Sequence, residues 1–272
     1  TVREHHGHAF DDPYEWLRDK DDAEVIAHLE AENAHTAAAT AHLAGLREQI
    51  FQEIKGRTLE TDMSVPVRKG QFWYYGRSIE GKQYGVQCRT AIAAEDDWTP
   101  PTLEPGAPLP GEQVLFDGNA EAEGHEFFSL GSFDVSSDGR RVLFGVDVAG
   151  DERYVVRVRD LDSGKNLEDE IPGTSAGAEF APDGGSIFYT TVDDAWRPDT
   201  LWRHVIGTAV DADVVVFHEP DERFWLGAGF TRSERYLMIS MGSSITSEVL
   251  LLDADALDGE PRVVWPRTEG IE

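Results

Sequence analysis

Val135-Ser-Ser-Asp-Gly-Arg-Arg-Val-Leu-Phe144 is repeated 45 positions further on as Phe180-Ala-Pro-Asp-Gly-Gly-Ser-Ile-Phe-Tyr189. A weaker third copy, Phe230-Thr-Arg-Ser-Glu-Arg-Tyr-Leu-Met-Ile239, follows 50 positions after the second. Each copy opens on an apolar residue, passes through a short polar turn and enters an apolar strand. Asp-Gly suits such a turn because both residues tolerate positive φ. A further strand and a charged turn follow each copy, as in Asp160-Leu-Asp-Ser-Gly164 and Asp253-Ala-Asp255. A period of about 40 to 50 residues carrying about four strands is the signature of a β-propeller blade, and it outweighs an unrelated set of hairpins in a sandwich.

Working outward from the repeat, β-branched and aromatic runs continue in both directions. Gln71–Tyr75, Gln83–Cys88, Val142–Val146, Tyr154–Val158, Ser186–Thr190, Val214–Phe217, Tyr236–Ser240 and Glu248–Leu252 are separated by turn-rich segments, with no long helical stretch between them. Four blades are expected, at about 65–120, 130–175, 178–222 and 228–267. The first carries a Pro-rich acidic insertion, Glu95 to Pro110, expected to be a surface loop. The last blade ends with no closing strand from the N-terminus, so the chain looks cut short.

Residues 1–62 differ in texture and are expected to form a helical arm ahead of the propeller region 63–272. Val25, Ile26, Leu29 and Asn33 mark one helix, with Asp21 or Asp22 as its N-cap. Gly45 offers a break, and Leu46, Ile50, Phe51 and Ile54 line a second helix ending near Gly56. Each has a single apolar stripe and requires a partner surface. The expected fold is therefore mainly β: a partial propeller of about four blades preceded by an N-terminal α-helical arm.

Composition narrows the function. The chain has 272 residues, with 52 acidic and 24 basic side chains and a formal net charge of −28, which disfavours nucleic acid as a partner. Two readings of the acidity stay open: a solvated surface, or a potential that draws in cationic ligands. No apolar run approaches the roughly 18 to 20 residues of a membrane span, and no apolar signal stretch opens the chain. Cys88, the single cysteine, permits neither an intrachain disulfide nor a thiolate zinc site, and the compartment expected is the cytoplasm.

Candidate chemistry is sparse. Gly173-Thr-Ser-Ala-Gly177 matches the G-x-S-x-G nucleophile pattern, but that elbow needs a strand before it and a helix after it. Pro172 precedes it and the Ala178–Asp183 turn region follows, so an inter-blade loop is expected and Ser175 is not taken as a nucleophile. His5, His6 and His8 are read as a flexible terminus rather than a metal site, and His125 and His218 as packed or solvated side chains beside strands. Asp147 with Gly150-Asp-Glu152 lacks the spacing of a calcium loop and is read as a charged hairpin turn. No catalytic residue, metal or cofactor is expected within this chain.

The chain as a whole resembles a known family. Asp12-Pro-Tyr-Glu-Trp-Leu-Arg-Asp19, with Glu30-Ala-Glu-Asn33 on the first helix, is similar to the N-terminal signature of the prolyl oligopeptidase family. Tyr74-Tyr75 with Tyr84, Cys88 and Arg89, then Leu115-Phe-Asp-Gly-Asn119 with Glu123-Gly-His125, and Tyr154 through Arg159-Asp-Leu-Asp-Ser-Gly164, resemble its oligopeptidase B branch. So do Leu201-Trp-Arg-His204, Glu219–Phe224 and Thr246–Val249.

The resemblance implies a cytoplasmic serine peptidase in which a propeller of about seven blades caps an α/β-hydrolase domain, of which about four are represented here. That branch cleaves short peptides after Lys or Arg, and its catalytic domain has no counterpart in this sequence. What carries over is a gating role for the propeller, with the hydrolase domain as partner and short basic peptides as substrates. The helices 22–56 resemble the segment that packs along the catalytic domain. Glu126 and the Asp151-Glu152-Arg153 turn sit where interdomain or gating salt bridges are expected on the propeller rim. The competing expectation is a freestanding propeller that binds a protein or cationic peptide; a third is that a separate chain supplies the remaining half. An open arc of blades is also expected to self-associate through its exposed edges.

Overall fold

The computed structural model describes residues 1–102, 104 and 106–272, and separates into two compact units, Thr1–Leu59 and Glu60–Glu272. In the first unit a hairpin, Val2–His5 against His8–Asp11, turns through His6 (φ 51°) and Gly7 (φ 77°). Two consecutive positive φ values suit the right-handed twist of a two-residue hairpin. The terminal histidines thus lie in a paired hairpin, where a flexible terminus was expected. A 3-10 turn at Glu15–Arg18 leads to two helices, α1 (Ala23–Thr40) and α2 (Ala44–Arg57). Asp22 caps α1, its carboxylate accepting the Glu24 N–H at 2.7 Å. The break between the helices is the 3-10 turn Ala41–Leu43, and Gly45 lies inside α2. Ala44, the strongest helix former, opens α2 one position before the glycine.

The second unit is mainly β. Four four-stranded antiparallel sheets follow one another along the chain, each a meander with its strands in sequence order. The first comprises Val67–Lys69, Phe72–Arg77, Val86–Ala91 and Gln113–Asp117. The second comprises Ser129–Val135, Arg141–Asp147, Tyr154–Asp160 and Lys165–Thr174. The third comprises Glu179–Phe180, Ser186–Val192, Pro198–Val205 and Val214–His218, and the fourth Trp225–Phe230, Tyr236–Gly242, Ser247–Asp253 and Arg262–Trp265. The strand expected from Gln83 begins only at Val86, because Ser78–Gly85 form the turn. Between Ala91 and Gln113 the described residues form neither helix nor strand. There Arg68 donates to the Asp97 carbonyl at 2.8 Å and to the Glu95 carbonyl at 2.6 Å. Leu103 and Pro105 of that expected loop lie outside the described residues.

The repeated turn is the same in all three copies. The residue after the opening apolar position donates its N–H to the carbonyl five residues on: Ser136 to Arg141 (3.0 Å), Ala181 to Ser186 (2.8 Å) and Thr231 to Tyr236 (2.9 Å). The fourth turn residue is left-handed each time, at Gly139 (φ 70°), Gly184 (φ 66°) and Glu234 (φ 57°).

The sheets pack face to face, which explains why the second strand of each middle sheet reads as an unbroken apolar run. Val142, Phe144 and Val146 face the first sheet, joining Leu115, Phe116 and Phe128. Leu143, between them, joins Val156 and Ile171 against Phe180, Ile187 and Tyr189 of the third sheet. Phe188, flanked by those last two, packs instead with Leu226, Leu237, Ile239 and Met241 of the fourth. The two flanking sheets leave apolar side chains exposed, among them Val67, Val114, Met238, Val263 and Trp265.

Candidate functional site

Two places on the second unit concentrate charge in fixed geometry. One is the rim formed at the sheet end where Ser129 pairs with Asp147 and Trp225 with Gly242. The other is the row of first strands at the opposite end.

On the rim, the sequence-derived residues converge on one turn. Asp147 is buried, and its carboxylate accepts the N–H groups of Ala149 (2.8 Å), Gly150 (2.9 Å) and Glu152 (2.9 Å). Burial opposes its ionisation, yet these backbone donors prevail and hold the carboxyl below the usual range. Glu152 is thereby held at φ 56°, with its side chain exposed. Asp151 accepts the Arg153 N–H at 3.2 Å. Glu126 lies three residues before Ser129, at the same sheet end, and is exposed. Its neighbour Phe127 has its ring 3.6 Å from where a side chain at Gly150 would project, which brings the Glu126 segment against the turn.

Each seam between sheets is bridged at this end. Tyr84 and Phe128 meet edge to face at 5.1 Å across the first seam. Arg153 lies 4.6 Å over the Trp196 ring across the second, with Trp196 itself at φ 65°, an outlying conformation for a bulky residue. Across the third, buried Arg197 donates to the carbonyls of Glu219 (3.1 Å) and Phe224 (2.9 Å). Arg267 closes the row, stacked 3.7 Å over Phe224 and ion-paired with Glu219 and Glu248. The rim is therefore a row of charged and aromatic groups in contact across the seams. Sequence reasoning named Arg153 without its partner and did not single out Trp196, Arg197 or Arg267, since the Arg153–Trp196 and Arg267–Glu219 contacts cross between blades and the positive φ of Trp196 leaves no composition signal.

At the opposite end, first strands are tied sheet to sheet by side chains reaching main-chain atoms. Lys69 donates to the Val135 carbonyl at 3.2 Å, the Asp134 carboxylate accepts the Phe180 N–H at 2.9 Å, and Glu179 accepts the Phe230 N–H at 2.9 Å. Lys69 also lies 3.8 Å from Asp134 and 3.6 Å from Glu234. A cavity of about 200 Å³ opens there. Desolvation, reinforced by the charge of Asp134, raises the Glu179 carboxyl to about 7 against the pull of Lys69 and the Phe230 N–H.

The remaining sequence candidates resolve individually. Ser175 lies in the connection between the second and third sheets, where its N–H donates to the Thr190 carbonyl at 2.7 Å and its hydroxyl is in close contact with that of Thr190. No helix follows it. His218 Nδ1 is 3.0 Å from the Thr200 hydroxyl, and the His125 N–H donates to Ala122. Cys88 is buried, which pushes its thiol up to about 11 and leaves it protonated at neutral pH. Among the described residues no group of three or more His, Cys, Asp or Glu side chains is arranged to hold a metal ion. A cluster the sequence did not announce is His204, fully buried between Asp169 (3.0 Å) and Asp213 (2.7 Å), with the Tyr189 hydroxyl also donating to Asp213.

Successive four-stranded meanders packed face to face, their first strands side by side, define a β-propeller module. The chain belongs to the prolyl oligopeptidase family: residues 1–271 match the family's N-terminal β-propeller domain. It is 33% identical to dipeptidyl aminopeptidase BI of Pseudoxanthomonas mexicana, with all of this chain and 38% of that protein aligned. The solved oligopeptidase B from Leishmania major superposes with a TM-score of 0.84 at 32% identity, over 97% of this chain and 36% of that one. Oligopeptidase B from Trypanosoma brucei, in a closed form with covalently bound antipain, gives 0.81 at 32% identity, over the same shares of 97% and 36%. The chain thus spans a little over a third of the length of these relatives. Among the described residues no helix is long and apolar enough to cross a membrane.

Proposed function

We propose that this chain is the non-catalytic, substrate-gating part of a serine oligopeptidase of the oligopeptidase B kind. The observation that carries the reading is the family match over residues 1–271 together with a span of only 38% of a peptidase relative. The chemistry then belongs to an α/β-hydrolase domain, the partner of this chain. The propeller excludes folded proteins and admits short peptides when the two parts move apart. Cleavage after Lys or Arg is in keeping with the charge of −28, which raises the local concentration of cationic peptides. A reducing cytoplasm suits the single, buried cysteine.

Within this reading Glu126, Asp151, Glu152 and Arg153 make the gating contacts to the catalytic domain. All four gather at one sheet end, Asp151, Glu152 and Arg153 on a turn that Asp147 holds and Glu126 on the segment beside it, and Arg153 stacks on Trp196. The exposed apolar side chains of the flanking sheets make the isolated chain prone to self-association, which sedimentation velocity reads directly.

The test is substrate length. The catalytically competent protein carrying this segment is expected to cleave a fluorogenic peptide of a few residues with Arg at the cleavage position at least a hundredfold faster than the same sequence in an exposed loop of a folded protein. Equal rates on both would contradict gating. A protein with no peptidase activity that binds such peptides would instead be a freestanding binding module.

A further inference from the structure

The side-chain ties along the row of first strands follow a rule that points beyond gating at the rim. Asp134 and Glu179 precede by one position the apolar residues, Val135 and Phe180, that open two copies of the repeat. Each carboxylate crosses to the following sheet and accepts the N–H of that sheet's own opening apolar residue, Phe180 and Phe230, both at 2.9 Å. Each removes an unsatisfied donor from the inner edge of its sheet. At the next equivalent position stands Gly229, which offers no such group.

The two clasps differ in surroundings. Glu179 borders the polar cavity of about 200 Å³ on one side and a narrower one of about 130 Å³ on the other, where Phe188, Leu201 and Leu226 are among the lining residues. The charged groups facing it are Lys69 of the first sheet, Asp134 of the second, and Arg232 and Glu234 of the turn in the fourth. A second carboxylate and an apolar wall on its inner side disfavour charge on Glu179. Protonated, it keeps a carbonyl oxygen for the Phe230 N–H and removes a negative charge from beside Asp134.

We propose that the Glu179–Phe230 clasp is a proton-controlled joint, closing the seam between the third and fourth sheets when Glu179 is neutral and favouring its opening when Glu179 is ionised. The sign follows from the closed surroundings, where Asp134 and the apolar wall of Phe188, Leu201 and Leu226 penalise a charge that water would accept once the seam opens; the carboxyl accordingly stands near 7, against an ordinary value of 4.5. A raised acid favours the closed form at low pH; that preference is lost as pH rises from about 4.5 to about 7, and then levels off.

Hydrogen exchange at the Phe230 amide, corrected for the intrinsic pH dependence of exchange, tests this in the unaltered chain. Protection is expected to fall by at least about tenfold between pH 5 and pH 7.5 and to change little above that. The Phe180 amide, held by Asp134 on the neighbouring seam, is the internal comparison. Glu179→Gln keeps an acceptor for Phe230 without the charge and is expected to abolish the fall. Protection at Phe230 that does not change with pH, an equal fall at both amides, or a fall that persists in a folded Glu179→Gln variant would each overturn the proposal; the first two readings stand even if that variant does not fold.

Discussion

The Asp134 carboxylate accepts the main-chain N–H of Phe180 at 2.9 Å, across a seam that separates residues 46 positions apart in the chain. The bond fixes the inner strand of one blade to the next and leaves no orphan donor at the edge of a two-residue strand. Replacing Asp134 with Ala leaves that N–H unpaired and is expected to destabilise the second unit by about 1–3 kcal/mol. Asp134→Asn retains an acceptor and should cost clearly less. Denaturant midpoints of the two variants, compared at equal slope, decide this; equal losses would contradict the role given to the bond.

Glu234 occupies the left-handed position that Gly139 and Gly184 fill in the other two turns. Its ion pair with Lys69, at 3.6 Å between partly exposed side chains, contributes little. Relief of the left-handed strain outweighs it, and Glu234→Gly is expected to raise stability by about 0.5–1 kcal/mol. A lower melting temperature for that variant would show that Lys69 is the larger partner.

Asp147 has a different signature because three backbone donors depend on it. Its depressed carboxyl contributes stability that is present above about pH 4, the ordinary carboxylate value, and is lost as pH falls through the native-state value. Asp147→Ala is expected to cost about 2–3 kcal/mol at pH 7 and to flatten the decline of stability as pH falls below about 4. Urea unfolding at a series of pH values measures both; an unchanged acid slope would contradict the assignment.

At the rim, reversing the charge of Arg153 removes its contact with Trp196 and places an anion beside Glu152. In the catalytically competent protein, Arg153→Glu is expected to lower kcat/KM for a short Arg peptide about three- to tenfold, with an effect that shrinks as salt rises. The same substitution should change stability by no more than about 1 kcal/mol. A loss of activity equal at low and high salt would point to misfolding rather than to a charged interdomain contact.

The blades were legible because their signal is local. A polar turn followed by Val142-Leu-Phe144 or Ile187-Phe-Tyr189 shows continuous apolarity, and both faces of those strands are indeed covered by neighbouring sheets. Even the degenerate third copy, with Glu234 in place of glycine, forms the same hydrogen-bonded turn. Hidden from the sequence were the contacts between blades. Glu179 and Phe230 are 51 positions apart, and Asp169 and His204 are 35 apart. Nothing in composition says that a carboxylate will seek a main-chain N–H rather than water. The N-terminal hairpin was missed for a related reason: polar, histidine-rich strands lack the alternation that marks a half-buried sheet.

The most direct measurement is hydrolysis of a short fluorogenic peptide with Arg at the cleavage position, by this chain alone and by the chain joined to the C-terminal domain of an oligopeptidase B. The account predicts no turnover by residues 1–272 and turnover by the joined protein, unaffected by Ser175→Ala. Turnover by this chain alone, abolished by Ser175→Ala, would contradict it and place a nucleophile in the connection between the second and third sheets.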